Sequence, residues 1–170
     1  NVGKAPSRAR YSQQQINELL LTHGRAAIED DLTIVRLKGG DPFVYGLGGD
    51  ECIALRSQQI PYEVIPGVSS ITSVPASAGI PVTHRTMASG FTVLSAHSVG
   101  RSENGLNDQI GGIAWADLPQ TGTLLILMGA KKLHLIIEGL LDAGRGQDLP
   151  VAIIESGTTR AESIVQSTLG

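Results

Sequence analysis

An apolar segment that breaks at two adjacent glycines constrains this chain more than any other stretch. Residues 32–37 are mostly apolar and β-branched, which predicts a strand. Gly39 and Gly40 follow, and because they lack a Cβ they allow positive φ and a close approach of a ligand to the main chain. Asp41 then offers a carboxylate that accepts hydrogen bonds at pH 7, and Pro42 fixes the exit. This layout is typical of a ligand site at the carboxyl edge of an α/β sheet, with a structural turn capped by Asp41 as the alternative.

The glycine-rich stretch matches neither of two familiar nucleotide-binding motifs. The sequence contains no G-x-x-x-x-G-K-[ST], and no G-x-G-x-x-G opens a helix. Asp50 and Glu51 stand directly behind residues 46–49. Acidic side chains suit the start of a helix but repel a pyrophosphate. A cationic or neutral ligand is therefore the better match for Asp41.

Predicted helices and strands alternate along the chain. Ser12 and Gln15 form a capping box that opens a helix, which ends near Gly24 or extends through residues 26–28. Further helices are predicted at 51–59, 69–78 and 131–143, and further strands at 62–65, 91–96, 123–128, 150–155 and 163–169. Pro75 predicts a kink or an interruption in the third helix.

This alternation of apolar strands with helices predicts an α/β fold with a largely parallel sheet. We place a domain boundary after Arg85, which gives domains at residues 1–85 and 86–170. Residues 98–122 are predicted to form a long loop, either disordered or folded as a lid, in which the segment Trp115–Leu118 docks on the body of the protein.

Composition excludes several classes of protein. The chain has 170 residues, 41% of them hydrophobic, and a formal net charge of -3, which argues against a nucleic-acid surface. No apolar run approaches the roughly 18–20 residues that span a bilayer, so no membrane partner is predicted. Cys52 is the single cysteine and excludes an internal disulfide. Neither His84 nor His97 has a second ligand at metal-binding spacing, so no metal site is predicted.

Several segments resemble the tetrapyrrole methylase family in order and in spacing. Residues 35–46, Val-Arg-Leu-Lys-Gly-Gly-Asp-Pro-Phe-Val-Tyr-Gly, are similar to a signature of that family, and further matches lie at 2–4, 65–70, 78–85, 127–129 and 155–158. The resemblance implies two α/β domains with S-adenosylmethionine in the trough between them, and a homodimer. It also implies a chain that is incomplete at both ends, because family members carry a further N-terminal strand-loop and further C-terminal strands.

Within that family, the signature resembles the enzymes that methylate ring carbons of uroporphyrinogen III to give precorrin-2, in cytoplasmic sirohaem and cobalamin biosynthesis. The implied cofactor-binding residues, which would hold S-adenosylmethionine and its product S-adenosylhomocysteine, are Gly39, Gly40, Asp41, Val44, Ser69, Ser70, Met128 and Gly157. Lys4 falls where the family has a proton donor, and the implied substrate contacts are Arg8, Arg10 and Arg85.

Several of these residues also have a purely structural interpretation. Taken from the residues alone, the basic N-terminal segment is a solvated loop, Ser69 and Ser70 are helix caps, and Met128 fills a core. Leu47 departs from the family, which usually has arginine there. The family's proton-accepting aspartate belongs to the N-terminal part that this chain lacks, so we expect this stretch alone to be a poor catalyst.

Two other kinds of function stay open. One is another activity of the same family, such as a precorrin methyltransferase, a diphthine synthase or a ribosomal-RNA methylase. The other is a non-catalytic module that binds the cofactor or a porphyrin.

Overall fold

The computed structural model describes residues 11–100 and 109–170, and the backbone of residues 4–5 and 8–9. The chain divides into two compact units, residues 1–69 and 70–170, which we describe separately. This division by contacts falls after Ser69, and the boundary after Arg85 stays a prediction. In the part of the chain described here, no helix has both the length and the apolar character needed to cross a membrane.

The part of the first unit that the structure describes contains a two-stranded hairpin and two α-helices. Strand β1 (Lys4–Ala5) pairs antiparallel with β2 (Arg8–Ala9), and the helices are α1 (Gln13–Glu29) and α2 (Gly48–Ser57).

The predicted capping box of α1 is confirmed. The Ser12 hydroxyl accepts the Gln15 N–H at 3.1 Å, and the Ser12 N–H donates to Gln15 Oε1 at 2.8 Å. Helix α1 continues past Gly24, whose missing side chain lets the helix approach Ile60: an added Cβ would lie 3.0 Å from Ile60 Cγ2. Ile16 and Ile60 are buried in this unit.

The prediction of strands at residues 32–37 and 62–65 is wrong, because neither segment forms the hydrogen-bonded ladder of a sheet with other described residues. Both segments have irregular backbone, and no strand partner exists for them among the residues described. Their apolar side chains are exposed, with Leu37 at 83% and Ile65 at 70%. Apolar, β-branched composition favours extended chain, but only a neighbouring ladder makes it a strand.

Within its described residues, the second unit is built from two pairs of strands, a short hairpin and two α-helices. Strand β3 (Phe91–Ser95) is parallel to β6 (Thr123–Leu127), and β7 (Pro150–Glu155) is antiparallel to β8 (Ser163–Thr168). The hairpin consists of β4 (Gln109–Ile110) and β5 (Ile113–Ala114), and the helices are α3 (Ser70–Ser77) and α4 (Leu133–Asp142).

The predicted α/β fold is confirmed, and β3–β6 shows the parallel pairing that it requires. The pairing of β7 with β8 is antiparallel because the connection at residues 156–162 is short, and parallel neighbours need a crossover of a dozen residues or more.

The core of the second unit forms between α4, the β3–β6 pair and the segment around Trp115. Trp115 and Leu118 are 5% and 2% exposed, which confirms that this part of the predicted long loop docks on the body. Ile136 and Leu140 of α4 belong to the same cluster. Gly139 lets α4 lie directly on the indole, because an added Cβ would be 2.2 Å from Trp115 Cε2.

Candidate active site

The glycine loop of the first unit is held in shape by Asp41. One carboxylate oxygen, Oδ1, accepts the Phe43 N–H at 2.8 Å, and the other, Oδ2, accepts the Gly67 N–H at 3.1 Å. Gly40 has φ 71°, the left-handed conformation that the paired glycines predicted. Gly67 packs so close to this loop that an added Cβ would lie 2.2 Å from the Gly40 carbonyl oxygen. Asp41 therefore caps a turn and also ties that turn to the backbone 26 residues further along.

The outer side of this loop is open. Gly39 is exposed, and a Cβ built on it would meet no atom within 4 Å. Val44 is partly buried, and its N–H donates to the Asp41 carbonyl oxygen at 3.2 Å. Phe43 and Tyr45 on either side of it are 59% and 50% exposed. The loop thus offers accessible main chain at Gly39 beside exposed aromatic side chains, which suits a ligand with polar and apolar parts.

A buried ion-pair cluster anchors the beginning of the loop. Glu51 of α2 is 5% exposed, and its two carboxylate oxygens lie 3.2 Å from Arg36 Nη2 and 2.7 Å from Lys38 Nζ. Sequence reasoning assigned Glu51 only to the helix dipole. It missed the cluster because the partners stand 13 and 15 residues away and no local pattern links them. The cluster holds residues 36–38, which directly precede Gly39, against α2.

In the second unit, Met128 follows directly after β6. It has φ 60° and is 55% exposed, so the interpretation as core filler is wrong. An exposed thioether at the carboxyl end of a parallel strand lies where α/β proteins present groups to ligands. Its contact with a cofactor stays a prediction.

Gly157 lies in the connection between β7 and β8 and touches α3. An added Cβ would be 2.5 Å from Val74 Cγ1, so only glycine fits against that helix. Its neighbours Ser156 and Thr158 have φ 52° and 64°, in the left-handed region that side chains rarely adopt. Non-glycine residues with positive φ concentrate at functional sites.

Helix α3 begins at Ser70, which is exposed, and Ser69 before it is partly buried. The helix continues through Pro75 and ends two residues later, so the predicted interruption is wrong, while the alternative of a kink stays a prediction. Ser69 and Ser70 were predicted to hold a ligand at this helix start, and that role stays a prediction.

The residues predicted to contact substrate are less fully described. Lys4 pairs with Ala9 across the β1–β2 hairpin and Arg8 pairs with Ala5. Arg10 lies outside the described residues. Arg85 is exposed in a turn that the His84–Ala88 bridge closes. Their roles stay predictions.

Within residues 11–100 and 109–170, no group of three or more His, Cys, Asp or Glu side chains could hold a metal ion.

Comparison with known proteins points to one family. Residues 2–170 match the family described as Tetrapyrrole (Corrin/Porphyrin) Methylases. The uroporphyrinogen-III C-methyltransferase of Methanocaldococcus jannaschii is 41% identical over 172 residues, which cover 99% of this chain and 66% of that protein. The Bacillus subtilis uroporphyrinogen-III C-methyltransferase is 39% identical over 168 residues, covering 98% of this chain and 33% of that protein.

Solved structures agree with this result. The uroporphyrin-III C-methyltransferase of Thermus thermophilus, crystallised with S-adenosylhomocysteine, has a TM-score of 0.73 and 36% identity, covering 92% of this chain and 64% of its own. A cobalt precorrin-4 methyltransferase has a TM-score of 0.76 at 20% identity, covering 95% and 63%, and shows the fold alone. The chain spans about two thirds of the length of the Methanocaldococcus relative and a third of the Bacillus one.

Proposed function

This chain belongs to the tetrapyrrole methylase family, and from that premise we propose that it takes part in S-adenosylmethionine-dependent methylation of uroporphyrinogen III to precorrin-2. The observation that carries the proposal is the likeness over 99% of the chain to a uroporphyrinogen-III C-methyltransferase at 41% identity. A relative crystallised with S-adenosylhomocysteine supports the choice of cofactor.

The glycine loop supports cofactor binding by the first unit. We propose that Gly39, Gly40, Val44 and Ser69 contact S-adenosylmethionine through backbone or small side chains, and that Asp41 accepts hydrogen bonds from its polar groups. A carboxylate has about four lone-pair sites, and the two backbone donors occupy two of those on Asp41. Asp41 can therefore cap its turn and bind a ligand together.

In the second unit, we propose Ser70, Met128 and Gly157 as cofactor-binding residues. The two loops and the helix start each present exposed or backbone groups. S-adenosylmethionine supplies a methyl group that its sulfonium already activates. The protein's own residues then have to align the two reactants and exclude water.

Lys4, Arg8, Arg10 and Arg85 are proposed to face the substrate. Uroporphyrinogen III carries carboxylates, and lysine and arginine attract and clamp such anions. Lys4 would donate a proton or hold a carboxylate. We further propose a cytoplasmic homodimer that uses neither nucleic acid nor membrane as a partner.

The activity is tested with the full-length protein, uroporphyrinogen III and methyl-labelled S-adenosylmethionine. Label in precorrin-2 supports the proposal. Label only in a protein or an RNA would reject it in favour of another family activity, and binding of cofactor or porphyrin without turnover would favour a non-catalytic module.

Two substitutions separate the proposed roles. Asp41→Ala should abolish measurable S-adenosylhomocysteine binding in calorimetry, whereas Asp50→Ala, an exposed acid of α2, should not. Equal affinities of the two variants would remove Asp41 from the site. Lys4→Ala should lower kcat more than it weakens cofactor binding, and wild-type turnover would show that Lys4 is a bystander.

A further inference from the structure

The connection at residues 156–162 is attached to α3 at two places. At one, Gly157 lies against Val74 with no room for a side chain. At the other, Glu162 Oε2 accepts the Ser77 hydroxyl at 2.7 Å and the Thr158 N–H at 2.7 Å. A single carboxylate oxygen thus joins the end of α3 to the residue after Gly157.

The backbone that Glu162 holds is strained. Ser156 and Thr158 both have positive φ, which non-glycine residues keep only where surrounding contacts determine it. Thr159 contributes bonds inside the connection, with its hydroxyl donating to the Ser156 carbonyl at 2.7 Å. Such internal bonds shape the turn, but they do not fix where it stands relative to α3. The position of the turn relative to α3 is fixed by the contact of Glu162 with Ser77 and by that of Gly157 with Val74.

We propose that Glu162 is a positioning residue for the cofactor site. It holds Gly157 at a set place against α3, the helix that begins at Ser70, so that both elements meet the cofactor with fixed spacing. This inference rests on the proposed function, in which Gly157 and Ser70 contact S-adenosylmethionine. Glu162 itself is engaged with Ser77 and Thr158 and acts through the loop, without touching the reacting atoms.

The chemistry of the donors predicts which substitutions the site tolerates. Ser77 and the Thr158 N–H are neutral donors, so an amide oxygen can accept the same two hydrogen bonds as the carboxylate. Glu162→Gln should therefore keep the loop in place, and Glu162→Ala should release it. If Glu162 were needed only for its negative charge, Glu162→Gln would release the loop as Glu162→Ala does.

Calorimetric titration of the full-length protein with S-adenosylhomocysteine tests this. Loss of these hydrogen bonds should weaken the binding of S-adenosylhomocysteine to Glu162→Ala by roughly fivefold to tenfold. Glu162→Gln should stay close to wild type, and so should the control Glu138→Gln, an exposed acid of α4 in the same unit. All titrations are made well below each variant's melting temperature, so that a change in stability does not appear as a change in affinity.

The possible results distinguish a failure of the proposed function from a failure of the positioning role of Glu162. No binding of S-adenosylhomocysteine to the wild type would reject the proposed function itself. Wild-type affinity in Glu162→Ala, or equally reduced affinity in Glu162→Gln, would overturn the positioning role while leaving the proposed function in place. If Glu162→Ala does not fold, Ser77→Ala removes the same link from the α3 side, and unchanged affinity in that variant would overturn the inference.

Discussion

The ion-pair cluster around Glu51 allows the strongest test of how the glycine loop is held. The Glu51 side chain is 6% exposed, and it faces Lys38 at 2.7 Å and Arg36 at 3.2 Å. In Glu51→Gln both cations stay where they are, and their shared counter-charge is gone. Removing one partner from a buried ion pair costs about 3–5 kcal/mol. Because Arg36 is 28% exposed and keeps part of its hydration, we expect the lower end, about 3 kcal/mol.

Thermal unfolding followed by circular dichroism measures this loss. For a chain of this size, about 3 kcal/mol corresponds to a fall in Tm of roughly 6–12 °C. Asp50→Asn is the matched control, since Asp50 is the exposed acid beside Glu51 in the first turn of the same helix. It should lose only its interaction with the helix dipole, about 0.3–1 kcal/mol.

A local probe shows where the loss occurs. Cys52 is the single cysteine of the chain and lies next to Glu51 in α2, partly buried. Glu51→Gln should speed its reaction with a thiol reagent, because opening of α2 becomes easier. If the Tm of Glu51→Gln falls no further than that of Asp50→Asn, and Cys52 reacts at the wild-type rate, then the cluster contributes nothing measurable and the reasoning is refuted.

Three further predictions concern the loops. Gly67→Ala should lower the Tm and weaken S-adenosylhomocysteine binding, since its Cβ would be placed 2.2 Å from the Gly40 carbonyl oxygen; an unchanged Tm would show that the loops separate freely. Gly157→Ala should weaken binding, and adding Val74→Ala should restore part of it, because the new Cβ would meet Val74 Cγ1 at 2.5 Å; additive effects in the double-mutant cycle would contradict this contact. Hydrogen bonds from the hydroxyl and N–H donors that face Glu162 lower the pKa of this carboxyl from its ordinary value of 4.5. The stability that the ionised Glu162 carboxylate contributes is therefore complete above pH 4.5 and disappears as the pH falls through the lowered folded-state pKa. Below pH 4.5 the free energy of unfolding of the wild type should therefore fall more steeply with falling pH than that of Glu162→Gln. Parallel plots of this free energy against pH would contradict the shift.

Local sequence patterns predicted the elements that local interactions specify. The capping box at Ser12 and Gln15 and the helix predicted at 131–143 are set by neighbours within one or two turns, and both are present. The position of the glycine turn at Gly40 was likewise readable, because positive φ there needs glycine. The family was identified from the resemblance of several motifs to the tetrapyrrole methylases, because hydrophobic periodicity alone does not reveal a family.

Long-range partners set the features that the sequence did not show. Residues 32–37 have the composition of a strand, but a strand exists only with a partner, and composition says nothing about the partner. Glu51 shows the same limit, since its cations stand more than a dozen positions away. The link from Ser77 to Glu162 joins residues 85 positions apart, beyond any periodic signal.

Asp41, Glu51 and Glu162 each hold a segment of their own unit, and they differ in what they require of the side chain. Asp41 and Glu162 accept hydrogen bonds from neutral donors, so the position of an oxygen matters more at these two sites than a full charge. Glu51 neutralises two cations, and there the charge itself is needed. The same Glu→Gln change should therefore be mild in S-adenosylhomocysteine binding at position 162 and costly in stability at position 51. If Glu51→Gln also left the stability nearly unchanged, the buried cluster would contribute no more than an exposed ion pair, and this distinction between the carboxylates would be wrong.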